Sequence, residues 1–377
     1  MNIAINARTL KEVPHDGIGW FTREVISRMV TSHPEHRFIL LADRKHHKPP
    51  ITGSNVEYIT LWPRAVHPLL WYVWHEVSLP PVLRRIRADV FLAPDGIIPL
   101  CTDVSCLPVI HDLNHVHRPH DIPFMTRQYY RNFFPLFIKR AARVATVSRF
   151  SADDISLTYG VDPAKIDIVS NGVAELFSPP EGDEVEKTRK RYTGGRPYFL
   201  FVSNFSPRKN IETLIMAYDI FRNETGSDHV LLLAGRRLYL TREIDRVLAS
   251  SPNSSDILFT GSVSREVLRH LYGGATALTF VPWFEGFGIP VIEAQRCGTP
   301  CILSDTSSLP EVSGGAALYA GPAGAGAIAE AMARLVSDEA LRRRLSDEGI
   351  INAARYTWDI AANEMWNSIM KTTRNKT

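Results

Sequence analysis

The segment Phe280–Asp305, FVPWFEGFGIPVIEAQRCGTPCILSD, decides the fold of the second half of this chain. An apolar run leads into a glycine-containing loop, a short helical pattern and a second apolar run. Pro290 suits the first turn of that helix, and Gly298 suits the residue just past its end. The segment therefore predicts a strand–helix–strand unit of a parallel sheet.

The loop of this segment carries candidate binding groups. Glu285 lies in the loop and Glu293 on the helix, and Gly286 and Gly288 flank Phe287. Glycines let a backbone approach a ligand closely, and a helix N-terminus presents free N–H groups. We expect a pocket for a polar, anionic ligand. The alternative is an ordinary turn that needs its glycines for packing.

The same alternation of apolar strands and amphipathic helices runs along the whole chain. Seven strand patterns precede a Pro- and Gly-rich stretch, residues 178–196, and six follow it. Val, Ile and Leu dominate them, as in buried parallel strands. We predict an α/β fold with two Rossmann-like, doubly wound domains, residues 1–177 and 197–355, that face a cleft. Residues 178–196 are predicted to be the linker, and Trp358–Lys371 a final amphipathic helix.

Length and composition argue against several classes of protein. A chain of 377 residues suits two domains, and a net charge of +3 is too small to indicate nucleic-acid binding. No apolar run is long enough to span a bilayer, and the start lacks a signal-peptide pattern, so we expect a cytoplasmic protein. The cysteines fit no zinc pattern and are predicted to be free thiols: Cys101, Cys106, Cys297 and Cys301.

The stretch Asn204–Asn210, NFSPRKN, follows the first strand pattern of the second half. A helix starts directly after it, with Asn210 as a candidate N-cap. Arg208 and Lys209 then lie at a helix N-terminus, where cations are disfavoured unless an anion binds between them and the helix. A diphosphate would satisfy this arrangement. The alternative is a solvated basic pair on a surface turn.

Two features of the first half also follow strands. Gly17 and Gly19 lie in the segment DGIG, which fits a phosphate loop or a tight turn, but Thr22 leaves the dinucleotide fingerprint incomplete. His111 ends a buried strand, where it can hydrogen-bond a substrate hydroxyl or transfer a proton. Nearby histidines lack the Cys or Glu partners of a metal site, so no metal is predicted.

The segment Leu69–Arg87 combines aromatic residues with a basic end. It fits either a helix packed by its aromatic side chains or a peripheral contact with a membrane surface.

Together these motifs resemble the family 4 retaining glycosyltransferases of the GT-B fold, over essentially the whole chain. The most specific feature is the pair Glu285 and Glu293 with seven residues between them. Further support comes from PRKN at Pro207–Asn210, VSRFS at Val147–Ser151, NGV at Asn171–Val173 and SLPEV at Ser308–Val312. The GIG and HDL segments are most similar to bacterial mannosyltransferases that use GDP-mannose.

The resemblance implies a role for each candidate residue. Glu293 would hold the ribose hydroxyls and Glu285 the donor sugar. Arg208 and Lys209 would grip the diphosphate. Backbone N–H groups would bind the donor, and His111 would touch its sugar. These N–H groups belong to Gly286, Phe287, Gly288 and Ile289, and the Gly17–Gly19 loop would close over the phosphates and the acceptor.

The resemblance also implies the architecture and the reaction. The helix within residues 356–377 would cross back onto the N-terminal, acceptor-binding domain. A hexose, most simply mannose from GDP-mannose, would move with retention to a glycan or lipid-linked glycan, without metal or other cofactor. Alternatives are a UDP-sugar donor, a sugar-nucleotide epimerase of similar fold and a non-catalytic sugar-nucleotide-binding protein. A dehydrogenase is disfavoured by the incomplete fingerprint.

Overall fold

The computed structural model describes residues 1–12, 16–237 and 242–374. The chain divides into two compact units, Met1–Gly172 with Thr357–Thr377, and Val173–Tyr356. Residues 178–196, predicted to be a linker, therefore lie in the second unit, where their helix packs against its neighbours.

The first unit contains a sheet of seven parallel strands in the order β3-β2-β1-β4-β5-β6-β7. The chain first adds strands on one side of β1 and then returns to add β4 on the other side. The switch point of the sheet therefore lies between β1 and β4. The strands are β1 Asn2–Asn6, β2 Arg37–Ala42, β3 Val56–Thr60, β4 Val90–Ala93, β5 Ser105–Ile110, β6 Val144–Thr146 and β7 Ile166–Ile168.

Helices surround this sheet. They are α1 Gly17–Ser32, α2 Pro68–Val73, α3 Leu79–Arg85, α4 Asn114–His117, α5 Phe124–Arg140 and α6 Arg149–Tyr159, with 3₁₀ turns at Pro119–Asp121 and Pro163–Lys165. A π-helical turn, Trp74–Ser78, lies between α2 and α3. Helix α6 begins at Arg149 because Ser148 caps it by accepting from the Ser151 N–H at 3.1 Å.

The second unit repeats this architecture with six parallel strands in the order β10-β9-β8-β11-β12-β13, and its switch point lies between β8 and β11. The strands are β8 Tyr198–Val202, β9 Val230–Ala234, β10 Ile257–Gly261, β11 Ala277–Phe280, β12 Cys301–Ser304 and β13 Leu318–Ala320. The helices are α7 Glu184–Thr193, α8 Ile211–Thr225, α9 Arg242–Ser250, α10 Arg265–Gly274, α11 Ile289–Arg296, α12 Leu309–Ser313, α13 Ala325–Ser337 and α14 Glu339–Ala353. Two 3₁₀ turns, Pro207–Lys209 and Ser254–Asp256, complete the elements.

The last helix, α15 Trp358–Arg374, belongs to the first unit and packs against α1, as the family resemblance implied. Asp167 at β7 accepts from Ser368 at 2.8 Å and from Lys371 at 2.7 Å. A side chain at Gly172 would lie 2.3 Å from the Trp358 backbone nitrogen. Gly172, the glycine of the NGV motif, therefore lets the backbone at the start of α15 pack closely against it.

The predicted fold class, two doubly wound α/β sheets, is confirmed. Among the residues that the structure describes, no helix is both long and apolar enough to cross a bilayer.

Candidate active site

Three predicted site residues of the second unit, Arg208, Lys209 and Glu285, meet at its switch point. Arg208 and Lys209 follow β8, and Glu285 follows β11. The Arg208 Nη1 atom lies 2.7 Å from Glu285 Oε2, and the Lys209 Nζ atom lies 2.6 Å from the same oxygen. All three side chains are at least four-fifths buried. The two cations therefore share one carboxylate, a pairing that the sequence motifs did not predict.

Backbone contacts also hold this cluster in place. Arg208 Nη1 donates to the Phe284 carbonyl at 2.9 Å, and the Trp283 N–H donates to the Arg208 carbonyl at 3.0 Å. Lys209 Nζ lies 5.0 Å from the centre of the Phe280 ring, within cation–π range. The loops after β8 and β11 are thus fastened to each other directly.

Asn210 is the N-cap residue of α8, as predicted, but its side chain fixes the turn that carries the two cations and does not cap the helix. Its backbone is left-handed, with φ of 58°, and its side chain makes no cap hydrogen bond to α8. Instead, Nδ2 donates to the Val281 carbonyl at 2.8 Å and to the Pro322 carbonyl at 2.7 Å. One amide therefore ties three loops together at the carboxyl edge of the sheet.

The ionisation of Glu285 follows from these partners. Burial by itself would raise the pKa of Glu285, but the charges and hydrogen bonds of Arg208 and Lys209 outweigh it and lower that pKa. Glu285 is therefore a carboxylate at neutral pH. Two cations and one anion leave the cluster with a net positive charge, which suits an anionic ligand.

The glycine loop leads directly into α11. Gly288 has φ of +94°, and a side chain there would lie 2.6 Å from Leu309 Cδ2. Ser308 Oγ donates to the Glu285 carbonyl at 2.8 Å and to the Phe287 carbonyl at 3.2 Å. These two hydrogen bonds fix the carbonyl groups of Glu285 and Phe287. Helix α11 then begins at Ile289.

The Phe287 side chain is buried, and its ring packs edge-on against Tyr356, with the ring centres 5.5 Å apart. Any contact of Phe287 with a ligand would therefore be made by its backbone. Gly286 lies beside it and is also buried. Pro290 has no N–H and the Val291 N–H donates to the Gly288 carbonyl at 2.9 Å, so within the first turn of α11 the Ile289 N–H is the donor that a ligand could use.

Glu293 lies one turn before the end of α11 and away from the ion pairs. Tyr272 on α10 donates its hydroxyl to Glu293 Oε2 at 3.1 Å. Burial raises the pKa of Glu293 to about 7, against the opposing charge of Arg265 and the Tyr272 hydrogen bond. The two acids of the motif thus differ: Glu285 is ionised, and Glu293 titrates near neutral pH.

In the first unit, His111 follows β5. Its Nε2 atom lies 2.9 Å from the Pro94 carbonyl oxygen, which can only accept, so the proton of the neutral ring is on Nε2. Burial lowers the pKa of His111. Its Nδ1 atom is therefore an acceptor, suited to receive a hydrogen bond or proton from a hydroxyl rather than to donate one.

Gly17 and Gly19 occupy the first turn of α1 instead of an open loop. The Gly19 N–H donates to the Asp16 carboxylate, its N-cap, at 2.8 Å. That N–H is therefore occupied by the Asp16 carboxylate in this structure, and the phosphate contact of the Gly17–Gly19 segment stays a prediction. Residues 13–15, just before it, lie outside the described residues.

The structure also adds residues that the motifs did not single out, namely Tyr272, Ser307 and the tethering role of Asn210. Ser307 Oγ accepts from the Glu285 N–H at 3.1 Å. Tyr272 could have been found only by its place on the apolar face of α10. Within the described part of the chain, no three His, Cys, Asp or Glu residues form a group that could hold a metal ion.

Two family models match the chain in succession. The one described as "Glycosyltransferase Family 4" matches residues 15–175, and the one described as "Glycosyl transferases group 1" matches residues 183–351. Between them they cover both units.

Individual proteins show the same relationship. The chain is 24% identical over 367 residues to O-antigen chain mannosyltransferase B of Escherichia coli, covering 94% of this chain and 96% of that protein. It is 29% identical over 273 residues to O-antigen chain mannosyltransferase RfbU of Salmonella typhimurium, covering 72% of each.

Two solved structures share the fold. WaaG, a glycosyltransferase involved in lipopolysaccharide biosynthesis, is similar with a TM-score of 0.75 at 14% identity, covering 96% of this chain and 98% of its own. Anabaena HepE in complex with UDP-glucose gives 0.76 at 15% identity, covering 98% and 100%. The matched families and the shared architecture show that this chain belongs to the family 4 glycosyltransferases, retaining enzymes of the GT-B fold.

Proposed function

We propose that this glycosyltransferase moves mannose from GDP-mannose to a sugar of a surface polysaccharide, free or lipid-linked, with retention of configuration. The observation that carries the proposal is the buried Arg208–Lys209–Glu285 cluster, a net cationic site at the switch point of the second sheet. The mannosyl group is supported by the names of the two curated relatives, both O-antigen chain mannosyltransferases.

The charges of the cluster suit the bond-breaking step. Cleavage of the sugar–phosphate bond leaves oxocarbenium character on the sugar and negative charge on the departing diphosphate. Arg208 and Lys209 would stabilise that charge in a buried site, where the interaction is stronger than in water. Glu285 would hold both cations in position and contact the sugar hydroxyls; it is not assigned as a nucleophile.

The remaining predicted residues take supporting roles. Glu293 would accept hydrogen bonds from the ribose hydroxyls, and the Ile289 N–H at the start of α11 would bind a donor oxygen. His111 would accept a hydrogen bond from the donor sugar through Nδ1. Retention is accounted for by attack of the acceptor hydroxyl on the same face that the diphosphate leaves, with a phosphate oxygen taking the proton.

A panel of nucleotide sugars tests the activity. The purified protein is incubated with GDP-mannose, UDP-glucose and other donors, with and without a membrane extract, and the nucleotide and sugar products are measured. Release of GDP that depends on the extract supports the proposal. Preference for a UDP-sugar overturns the donor assignment, and a changed sugar without acceptor indicates an epimerase.

Metal independence is a separate part of the proposal. Arg208 and Lys209 are proposed to supply the positive charge that a metal ion supplies in other transferases. Turnover should therefore survive EDTA. Loss of turnover in EDTA that returns with Mg²⁺ would contradict this.

We also propose that the first unit binds peripherally to an anionic membrane surface on the cytoplasmic side. Several large apolar side chains near α2 are exposed: Trp62 by 81%, Val66 by 60%, Leu69 by 63% and Val77 by 60%. Leu69 lies one turn from Tyr72, whose ring packs 5.5 Å from Phe133 on α5, so the two helices adjoin.

The distribution of charged residues also supports membrane binding by this surface. Residues 61–87 and 124–140 contain one acid, Glu76, whose carboxylate accepts from the Leu100 and Cys101 N–H groups. Since the whole chain has a net charge of only +3, positive charge is concentrated here. Anionic lipids attract such a combination of exposed apolar and basic residues. The cations are Arg64, Arg84, Arg85, Arg87, Arg127, Arg131, Lys139 and Arg140.

Vesicle sedimentation tests the membrane contact. The protein should bind phosphatidylglycerol vesicles more tightly than phosphatidylcholine vesicles. The double variant Leu69→Ser with Arg84→Glu should lose most of this binding. The control is the double variant Leu157→Ser with Arg343→Glu. It changes exposed residues outside this surface and should bind the vesicles like the unmodified protein. Equal binding by both double variants would contradict the proposal.

A further inference from the structure

The loop after β12 binds the backbone of the loop after β11 through three serine side chains. Ser304 Oγ donates to the Pro282 carbonyl at 2.9 Å. Ser307 Oγ accepts from the Glu285 N–H at 3.1 Å, and Ser308 Oγ donates to the Glu285 carbonyl at 2.8 Å. We call Ser304, Ser307 and Ser308 the serine clamp. Since β11 and β12 are neighbours in the sheet, the clamp joins two adjacent loops at its carboxyl edge.

The serine clamp holds both peptide groups that flank the Glu285 Cα atom. Ser307 binds the N–H before this atom, and Ser308 binds the carbonyl after it, to which the Ser308 N–H also donates at 3.4 Å. Because peptide groups are planar, holding both of them fixes the direction of the Glu285 Cα–Cβ bond. The carboxylate at the other end of the side chain contacts Arg208 and Lys209, so Glu285 is held at both ends.

Ser307 has an unfavourable backbone conformation. Its φ is 56°, in the left-handed region that disfavours residues with a side chain. Among the described residues other than glycine, only Arg87, Asn210 and Ser307 have a positive φ. Asn210 directly follows Lys209, and Ser307 contacts Glu285, so two of the three border the ion cluster. Such strain persists where the surrounding contacts enforce it, and it concentrates at functional sites.

The hydroxyl group of Ser307 is oriented to accept from Glu285. Ser307 Oγ also lies 2.7 Å from the Thr306 carbonyl oxygen, which can only accept. The hydroxyl hydrogen therefore points to Thr306, and an oxygen lone pair accepts from the Glu285 N–H. A glycine would suit the backbone at position 307 better but would remove this acceptor. The serine is thus explained by its hydroxyl group and not by the turn.

We propose that Ser307 is a positioning residue of the transfer reaction, which keeps the Glu285 carboxylate in place while the two cations of the cluster engage the diphosphate. As negative charge develops on the leaving group, Arg208 and Lys209 are attracted toward it and away from Glu285. The carboxylate then loses part of its ionic restraint. The serine clamp acts on the backbone and does not depend on these charges, so it continues to hold Glu285 beside the donor sugar. The inference rests on the proposed function, because it requires Glu285 to act on the donor.

Two substitutions separate the hydroxyl group of Ser307 from its backbone. Ser307→Ala and Ser307→Gly both remove the acceptor, but glycine also relieves the left-handed strain, so Ser307→Gly should have the higher melting temperature of the two. Both variants should lower kcat about tenfold, because small displacements of a reacting group are costly. A kcat that recovers in Ser307→Gly together with the melting temperature would overturn the proposal, since Ser307 would then act only through stability.

Ser346→Ala is the matched control. The Ser346 hydroxyl also donates to a backbone carbonyl, that of Gly298 at 2.6 Å, beyond the other end of α11. This variant should keep kcat within about twofold of the unmodified protein.

A double-mutant cycle with Glu285→Gln tests whether Ser307 acts through Glu285. In that background the carboxylate is already absent, so Ser307→Gly should lower kcat by less than about threefold instead of about tenfold. Equal fold-changes in the two backgrounds would show independent effects and would overturn the positioning role. The kcat values are measured with the nucleotide sugar that the donor panel identifies.

Amide hydrogen exchange gives a readout that does not need turnover. The Glu285 N–H should exchange about tenfold faster in Ser307→Ala and Ser307→Gly than in the unmodified protein or Ser346→Ala, because its acceptor is lost. Unchanged exchange at Glu285 would overturn the proposal even in an active enzyme. Failure of GDP-mannose in the donor panel, with the exchange and the cycle as expected, would instead refute the proposed donor and leave the role of Ser307 in place.

Discussion

The Arg208 guanidinium and the Glu285 carboxylate form an ion pair at 2.7 Å, although the two residues are 77 positions apart in the chain. The carboxylate accepts from Lys209 through the same oxygen. An acid that the motif assigns to substrate binding therefore also holds the two cations assigned to the diphosphate. This relationship has direct consequences for mutagenesis.

Glu285→Gln should tighten GDP binding and slow transfer. Removing the negative charge leaves the cluster with two cations, which raises its attraction for a diphosphate by several-fold, while the loss of the shared partner lets Arg208 and Lys209 move. We expect turnover to fall by about 100-fold, the size typical for a group that positions transition-state charge. Calorimetry with GDP and steady-state kinetics measure the two effects. Glu348→Gln, on the exposed surface of α14, serves as the control. Weaker GDP binding by Glu285→Gln would contradict the charge argument.

Lys209→Met should reduce kcat far more than it changes the donor KM. The ammonium acts on charge that develops on the leaving diphosphate, so its removal raises the barrier more than it weakens ground-state binding. We expect a loss of roughly 100- to 1000-fold in kcat, as for a removed oxyanion donor. The control, Lys187→Met, replaces a lysine whose side chain is 67% exposed and should leave kcat and the donor KM unchanged. A near-normal kcat in Lys209→Met would exclude this role.

Nucleotide binding should depend on pH through Glu293. Its pKa of about 7 means that the carboxylate, which can accept from both ribose hydroxyls, becomes the main form only as pH rises past 7. GDP affinity should therefore increase across this range, and Glu293→Gln should be weaker and lack that part of the pH dependence. Titrations of both proteins from pH 5.5 to 8.5 measure the difference. Identical pH profiles would remove Glu293 from the ribose site.

The same carboxyl group should make stability fall as pH rises. Its pKa is about 7 in the fold, against the ordinary 4.5, so the unfolded chain releases the proton first. The stability held by protonated Glu293 is fully present below about pH 4.5 and is lost as pH rises through 7, by up to about 3 kcal/mol. Thermal denaturation of Glu293→Gln should show a flatter profile over this range.

Gly288→Ala should destabilise the second unit by about 2 kcal/mol. Its φ of +94° is unfavourable for a residue with a side chain, and the added carbon would lie 2.6 Å from Leu309 Cδ2. The matched control is Gly326→Ala within α13, where an added carbon has open space and alanine favours the helix. Thermal denaturation compares the two. Equal melting temperatures would show that the loop relaxes around the new side chain.

The sequence by itself determined the fold class, the family and the identity of the candidate residues. Runs of Val, Ile and Leu with glycine-marked turns specify parallel strands, and motif residues such as Arg208 and Glu285 follow strands wherever those strands lie. Helix ends were less certain: the start of α6 depends on which of Ser148 and Ser151 caps it, and both residue types suit that position.

Only the tertiary structure decided which residues act together. Strand order places Arg208 beside Glu285 and Arg8 beside Asp95, because each pair lies on segments that are distant in the chain and meet at a switch point. Burial and partners then gave the two motif acids different ionisation: Glu285 lies against two cations, and Glu293 lies against a tyrosine hydroxyl. Local sequence encodes which groups are present, whereas their distances and pKa values arise from neighbours that only the folded sheet supplies.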